Sequence, residues 1–376
     1  MAQTEAVVEK LVAGGRGLAR LEGRAVFVPF AVPGERVCLE IQKESKDFLE
    51  ARITGILEPS VHRQEAPCRL YGLCGGCDLM HIRYPEQLRW KVLLAQEALA
   101  RTGGLTWPQL EIAAAEPYAY RSRVQLHRDR EGRPGFMRRD SGEVIAVSRC
   151  PVCVPAVNRL LENPGGDFFA SSRKPRLTVF AAGRCLIEGR DKSGSLKIAG
   201  RTIRFWVSSF FQSNLLLLPE LLRDVTAGLS GRCVLDLYSG VGLFGAFLAE
   251  SFDQVICLER DAAALRLARG NIPGRGHLFI RSEADSWAAR REMPAHLDAV
   301  VADPPRSGLS VPVRSWLIAA RVPRLVYVSC DIVTLARDLK TLLAGGYELT
   351  GLKLYDFNPQ TSRLEVVAHL RCAPRK

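Results

Sequence analysis

Cys330 stands in Ser329-Cys330-Asp331 at the end of one apolar run, and Asp303-Pro304-Pro305-Arg306 ends the run before it. A cysteine at the tip of a buried strand, beside a helix start at Ile332, can be held as a thiolate by the helix N-terminus. Two consecutive prolines stiffen a loop and fix where the preceding carboxylate points. Cys233 and Cys257 sit inside apolar runs and read as small buried hydrophobes. Position separates Cys330 from them as a candidate nucleophile.

Asp236-Leu-Tyr-Ser-Gly-Val-Gly242 follows a buried strand and opens a helix. Its glycines let the backbone turn sharply and approach a ligand lying across the strand ends. Glu259 stands at the tip of the next strand, about 20 residues on, where a carboxylate can accept both ribose hydroxyls. Glu283 has the equivalent place after the third strand, suited to an adenine amino group. The two glycines are closer together than in the dinucleotide fingerprint, which favours S-adenosylmethionine over NAD.

A third group is made of thiols. Cys68, Cys74 and Cys77 are spaced C-x5-C-x2-C, with Cys150 and Cys153 far downstream. The chain has 11 cysteines, an odd number, and no export signal, so metal binding or catalysis is expected rather than a disulfide framework. Spacing alone allows zinc or an iron–sulfur cluster.

The elements that must position these groups follow a clear plan. From Arg232 onward, buried strands at 233–238, 254–258, 277–281, 297–302 and 324–329 alternate with helical stretches such as 262–271 and 333–343. Such alternation predicts a parallel sheet with helices on both faces, its carboxyl edge carrying the site. Segments 347–357 and 363–370 read as an antiparallel pair closing that sheet. Ahead of it, short strands at 6–11, 24–29, 36–42 and 49–57 with Gly-rich corners suggest a small closed barrel of the OB type over residues 1–60. Residues 61–205 hold the cysteines, a helix over 85–102, and a basic β-rich stretch. Residues 206–376 form the α/β Rossmann-like part.

Charge is uneven along the chain. The net is +12, and residues 61–230 carry 25 basic against 16 acidic side chains, most of the basic ones Arg. Arginine contacts phosphate bidentately and stacks on bases, so this region suits a polyanion such as RNA, although a solvated surface would look the same. No apolar stretch approaches the length of a membrane span, so a cytoplasmic protein without a membrane role is expected.

Five motifs occur in order: Phe210-Phe-Gln-Ser-Asn214, Asp236-Leu-Tyr-Ser-Gly-Val-Gly242, Asp303-Pro-Pro-Arg306, Ser329-Cys330 with Thr334-Leu-Ala-Arg-Asp338, and Pro359-Gln-Thr361 with Glu365. This series resembles the RNA 5-methyluridine methyltransferase family over nearly the whole chain. The resemblance implies methylation of carbon 5 of a uridine, with Cys330 as nucleophile and Glu365 as the base that takes the carbon 5 proton. Carbon 5 of uracil is a poor nucleophile until a thiolate adds at carbon 6, which explains the need for a cysteine. The target uridine must leave its stack to reach Cys330.

By the same resemblance Gln212, Tyr238, Glu259 and Asp303 contact S-adenosylmethionine, and Phe211 lies in the motif lining the uracil pocket. Cys68, Cys74, Cys77 and Cys150 match the ligands of a 4Fe–4S cluster, with Cys153 competing for the fourth place. The N-terminal barrel resembles the TRAM module of some members. Barrel and cluster together favour large-subunit ribosomal RNA over the T-loop of transfer RNA, and a monomer is expected. Four positions depart from the family pattern: Asp331-Ile332 follows the nucleophile in place of Asn-Pro, Ser239 replaces Cys, and Arg363 replaces His. An acid beside Cys330 should raise its pKa. The rival readings are a non-catalytic RNA-binding factor with the same fold, and methylation of a protein or small molecule.

Overall fold

Residues 4–12 form one extended run that serves two edges. Thr4–Val7 pairs antiparallel with Arg36–Glu44, and Lys10–Val12 pairs antiparallel with Arg16–Leu21. Between them, Val8 N–H donates to Glu35 and Glu9 N–H to Leu18. The six-stranded sheet is thereby closed on itself: its first and last strands are parts of one segment. Closure removes exposed strand edges. Inside, Val8, Ala19, Val26, Val28, Val37 and Leu39 are buried. The strand Arg16–Leu21 falls in a Gly-rich stretch between the expected strands at 6–11 and 24–29, which reads as a corner in the sequence. Gly17 is in fact a packing residue: a Cβ there would stand 2.8 Å from Val8 and 2.9 Å from Ala31. The computed structural model describes residues 4–164, 174–290, 294 and 296–372.

The helix Tyr84–Ala98 has Pro85 in its first turn and runs on through one π turn, Leu99–Gly103, before Gly104 stops it at φ 65°. A five-stranded antiparallel sheet follows, in the order Val144–Ala146, Pro134–Met137, Arg123–Arg128, Arg176–Ala182, Arg184–Ile187. The helix Pro155–Glu162 packs Val157 and Leu161 onto it.

The largest sheet has eight strands. Five are parallel, ordered Leu278–Arg281, Phe252–Glu259, Gly231–Leu237, Ala299–Ala302, Arg324–Ser329. Because the order reverses at Gly231–Leu237, a crevice opens there at the carboxyl edge, where ligands of such sheets bind. Glu365–Cys372 enters antiparallel beside Arg324–Ser329, and Tyr347–Tyr355 pairs outside it. The three-residue strand Glu111–Ala113 then joins parallel to Tyr347–Tyr355. That strand comes from the stretch read as the cysteine-bearing middle region, so the catalytic sheet recruits chain from well before residue 206. Two buried clusters cover the two faces of the sheet, one around Phe205, Phe211 and Leu221, the other around Trp287, Trp316 and Leu339. Among the described residues no helix is long and apolar enough to cross a membrane.

Candidate active site

Register brings the two reactive candidates together. Ser329 pairs with Val366, so Cys330 leaves the end of the fifth parallel strand beside Glu365, the first residue of the antiparallel one. Next to them, Leu237 pairs with Ala302, and Asp303 N–H donates to the Leu237 carbonyl at 3.3 Å. One cavity of about 670 Å³ is lined by Gln212, Tyr238, Glu259, Glu283, Asp303, Cys330 and Glu365. All seven residues singled out for catalysis or cofactor contact therefore face the same space.

The glycine turn is held from below. Asp236 is buried and its Oδ2 accepts from Gly245 N–H at 2.9 Å, anchoring the helix Leu243–Leu248 behind the turn. Tyr238 has φ 65°, and Gly242, at φ 76°, has Ala268 2.9 Å from where a Cβ would lie. Glu259 accepts from Gly240 N–H at 3.0 Å and Asp261 N–H at 2.8 Å, which fixes its carboxylate at the turn. Glu283 is exposed at the mouth, 3.8 Å from Arg260. Asp285, which no sequence signal marked, lines the cavity and accepts from the Ser310 hydroxyl at 2.6 Å.

Acid groups dominate this cavity in a chain of positive net charge. Burial pushes Asp303 up to about 7 and Glu365 up to about 8, the latter also through repulsion by Asp303 and against the pull of Arg306. Asp236 is likewise pushed to about 7 by burial. An acid-lined, glycine-floored crevice suits a ligand that is adenosine-like and positively charged, as S-adenosylmethionine is.

Two expectations are corrected. Burial raises the Cys330 thiol to about 11, with further repulsion from Glu365 and Asp303 and some relief from Arg306. The helix N-terminus does not hold it as a thiolate, because Asp331 takes that place: its Oδ1 accepts from Val333 N–H at 3.0 Å and Thr334 N–H at 2.9 Å. The same capping turns the Asp331 carboxylate onto the helix. Second, Phe211 is buried against Phe205, ring centroids 4.9 Å apart, in the hydrophobic core. Its neighbour Phe210 lines the cavity, 72% exposed, with Arg123 over its ring at 6.0 Å.

The thiols gather elsewhere. Cys68, Cys74, Cys77, Cys150 and Cys153 line a separate cavity of about 480 Å³ beside Arg121. Burial raises Cys68, Cys74 and Cys77, whereas Cys150 is lowered by a hydrogen bond with Cys153, which is raised in turn. Among the described residues no group of three or more His, Cys, Asp or Glu side chains is arranged to hold a metal ion. The convergence of these five thiols is thus a donor set without a coordination geometry.

A switch-point crevice with a glycine turn, a fixed carboxylate on the second strand and an inserted antiparallel strand defines an S-adenosylmethionine-dependent methyltransferase. Residues 294–372 match the tRNA (Uracil-5-)-methyltransferase family, and residues 212–317 match the Methyltransferase small domain. An uncharacterized RNA methyltransferase of Aquifex aeolicus is 33% identical, over 96% of this chain and 97% of that protein. The 23S rRNA (uracil(1939)-C(5))-methyltransferase of Chromohalobacter salexigens is 32% identical, over 98% and 89%. The crystal structure of Pyrococcus abyssi tRNA (uracil-54, C5)-methyltransferase with S-adenosyl-L-homocysteine shares the fold, with a TM-score of 0.77 at 21% identity over 97% of this chain and 99% of that one. The chain belongs to the RNA uracil-C5 methyltransferase family.

Proposed function

We propose that this enzyme methylates carbon 5 of a uridine in large-subunit ribosomal RNA, in the cytoplasm, through a covalent adduct of Cys330 with carbon 6. The observation that carries this reading is the placement of Cys330, Glu365 and Asp303 on one cavity with the cofactor-type turn. S-adenosylmethionine supplies an electrophilic methyl group there. Glu259 is set to receive its ribose, Glu283 or Asp285 its adenine amino group, and Gln212, Tyr238 and Asp303 the remainder.

Cys330 loses its proton to solvent, aided by Arg306, and its thiolate adds to carbon 6 of the flipped uracil. Carbon 5 then carries the electron pair that bonds to the methyl group, whose bond to the donor sulfur breaks so that S-adenosylhomocysteine leaves. Glu365 takes the carbon 5 proton, the carbon 6–sulfur bond breaks, and the thiolate is released. One proton is released overall. Residues 1–60, 61–205 and 206–376 act in this reading as barrel, RNA-binding region and catalytic part, in a monomer. Cys68, Cys74, Cys77 and Cys150 would hold a 4Fe–4S cluster, the thiolate set such a cluster needs. Support for Cys150 over Cys153 comes from burial: Cys153 is fully buried and serves Cys150 as a hydrogen-bond partner. Ribosomal RNA is favoured by the activity named for the Chromohalobacter relative.

RNA containing 5-fluorouridine should be captured covalently by the enzyme with S-adenosylmethionine, and Cys330→Ala should abolish both capture and methyl transfer while binding the cofactor normally. Appreciable turnover by that variant would end the mechanism. Mapping 5-methyluridine in total RNA of a deletion strain should show loss from large-subunit ribosomal RNA; loss from transfer RNA alone would reassign the substrate.

A further inference from the structure

Glu365 is reached through residues 356–364, which connect Tyr347–Tyr355 to Glu365–Cys372, and this connection is gripped from three sides. Lys91 and Asp356, both 0% exposed, form an ion pair of 2.5 Å. Lys91 also donates to the Asn358 carbonyl at 3.2 Å, and Tyr84 donates to Asp356 at 2.9 Å. Gln87 and Gln360, again 0% exposed, exchange two bonds: Gln87 Nε2 donates to Gln360 Oε1 at 2.9 Å, and Gln360 N–H to Gln87 Oε1 at 3.2 Å. Two backbone N–H groups just past Cys77, those of Asp78 and Leu79, converge on the Gln360 carbonyl at 2.9 and 3.0 Å.

This arrangement is costly to the fold. Gln360 has φ 68°, a region that non-glycine residues rarely adopt, and its buried Nε2 finds no acceptor among the described residues. A buried Lys–Asp pair adds little stability over two apolar side chains of the same size. Strain and buried charge persist where the surroundings over-determine one geometry, and they concentrate at functional sites. The geometry that benefits is that of Glu365, whose strand begins where the gripped connection ends.

We propose that Gln360 and Lys91 are positioning residues for proton removal from carbon 5, holding Glu365 in place through residues 356–364. The proposal rests on Glu365 being the base. In that scheme methyl transfer precedes proton removal, so a misplaced base slows only the second step. Gln360→Gly keeps the positive φ, and Lys91→Met combined with Asp356→Leu replaces the ion pair by an apolar one that can fold. With RNA tritiated at carbon 5 of uridine, both variants should bind S-adenosylmethionine normally and form the methylated adduct at the normal rate. Tritium release should slow by up to about 100-fold, as expected for a displaced catalytic group, so adduct accumulates on denaturing gels as in Glu365→Gln. Wild-type tritium release in the network variants, beside a trapped Glu365→Gln, would overturn the proposal and leave the base standing. Equal losses of adduct formation and tritium release would also overturn it, marking the network as structural only. Normal turnover by Glu365→Gln would remove the base assignment and the proposal together.

Discussion

At the scale of single residues, the cavity holds carboxyl groups that the empty protein keeps neutral only up to about neutral pH. Burial pushes Asp303 up to about 7 and Glu365 up to about 8 on the cavity wall, and Asp236, buried beneath the glycine turn, up to about 7. A carboxyl raised in the fold stabilises it below its unfolded pKa, and that contribution is lost as pH rises through the folded value. The ligand-free protein should therefore melt at a lower temperature at pH 8.5 than at pH 6. A cationic ligand reverses the sign, because it favours the ionised carboxylates. The rise in Tm with S-adenosylmethionine should grow from pH 6 to 8.5, and the rise with uncharged-sulfur S-adenosylhomocysteine should grow less. Parallel curves for the two ligands in a thermal-shift titration would contradict the electrostatic account. Cys330 and Glu365 were legible as candidates because motifs mark them, whereas their ionisation was not. The sequence places Asp331 beside the thiol, but only the folded turn shows its carboxylate capping the helix.

At the scale of elements, the loop after Asp303 depends on one buried carboxylate. Asp338, 0% exposed, accepts from Tyr327 Oη at 2.8 Å, Leu309 N–H at 2.7 Å, Arg314 at 2.6 Å and Arg337 Nε at 2.9 Å. It ties the helix Ile332–Ala344, which begins just past the nucleophile, to the segment following Asp303-Pro-Pro-Arg306. Asp338→Ala leaves two guanidinium groups and a hydroxyl without their acceptor, and should cost about 3–5 kcal/mol in urea unfolding. A loss under about 1 kcal/mol would show that water replaces the carboxylate there. Asp338 stood in a recognised motif, yet its task was invisible, since its partners lie on three separate elements. The parallel strands were legible from their apolar runs. Glu111–Ala113 was not, because three residues carry no period, and the choice between Phe210 and Phe211 depended on which side of the chain faces the core.

At the scale of the whole molecule, the basic middle and the thiols raise separate questions. If Arg side chains hold RNA phosphates, affinity should fall steeply with salt, and reversing Arg138 should lessen that slope by about one. Arg138 is exposed and only 3.8 Å from Glu143, whereas Arg139 donates to the Cys77 carbonyl and Asp78, so its reversal would disturb the thiol segment instead. That segment is poor in regular structure: residues 59–83 contain no strand or helix, and the buried cluster beside them is small, built on Met80, Tyr120 and Val152. Its backbone is held by scattered bonds, Gly75 N–H to Met137, Arg139 N–H to Leu73, and Asp78 and Leu79 N–H to Gln360. A loop with so little core gains most from a group that cross-links it, since binding free energy then becomes folding free energy. Protein purified without oxygen should accordingly be brown and contain about four irons per chain. Cys150→Ser should lose the iron, lower the Tm and open residues 68–79 to proteolysis, while Cys153→Ser should keep the iron. Stoichiometric zinc would reassign the metal, and colourless, metal-free protein whose Tm and protease resistance are indifferent to Cys150→Ser would mean that the thiols converge for packing alone.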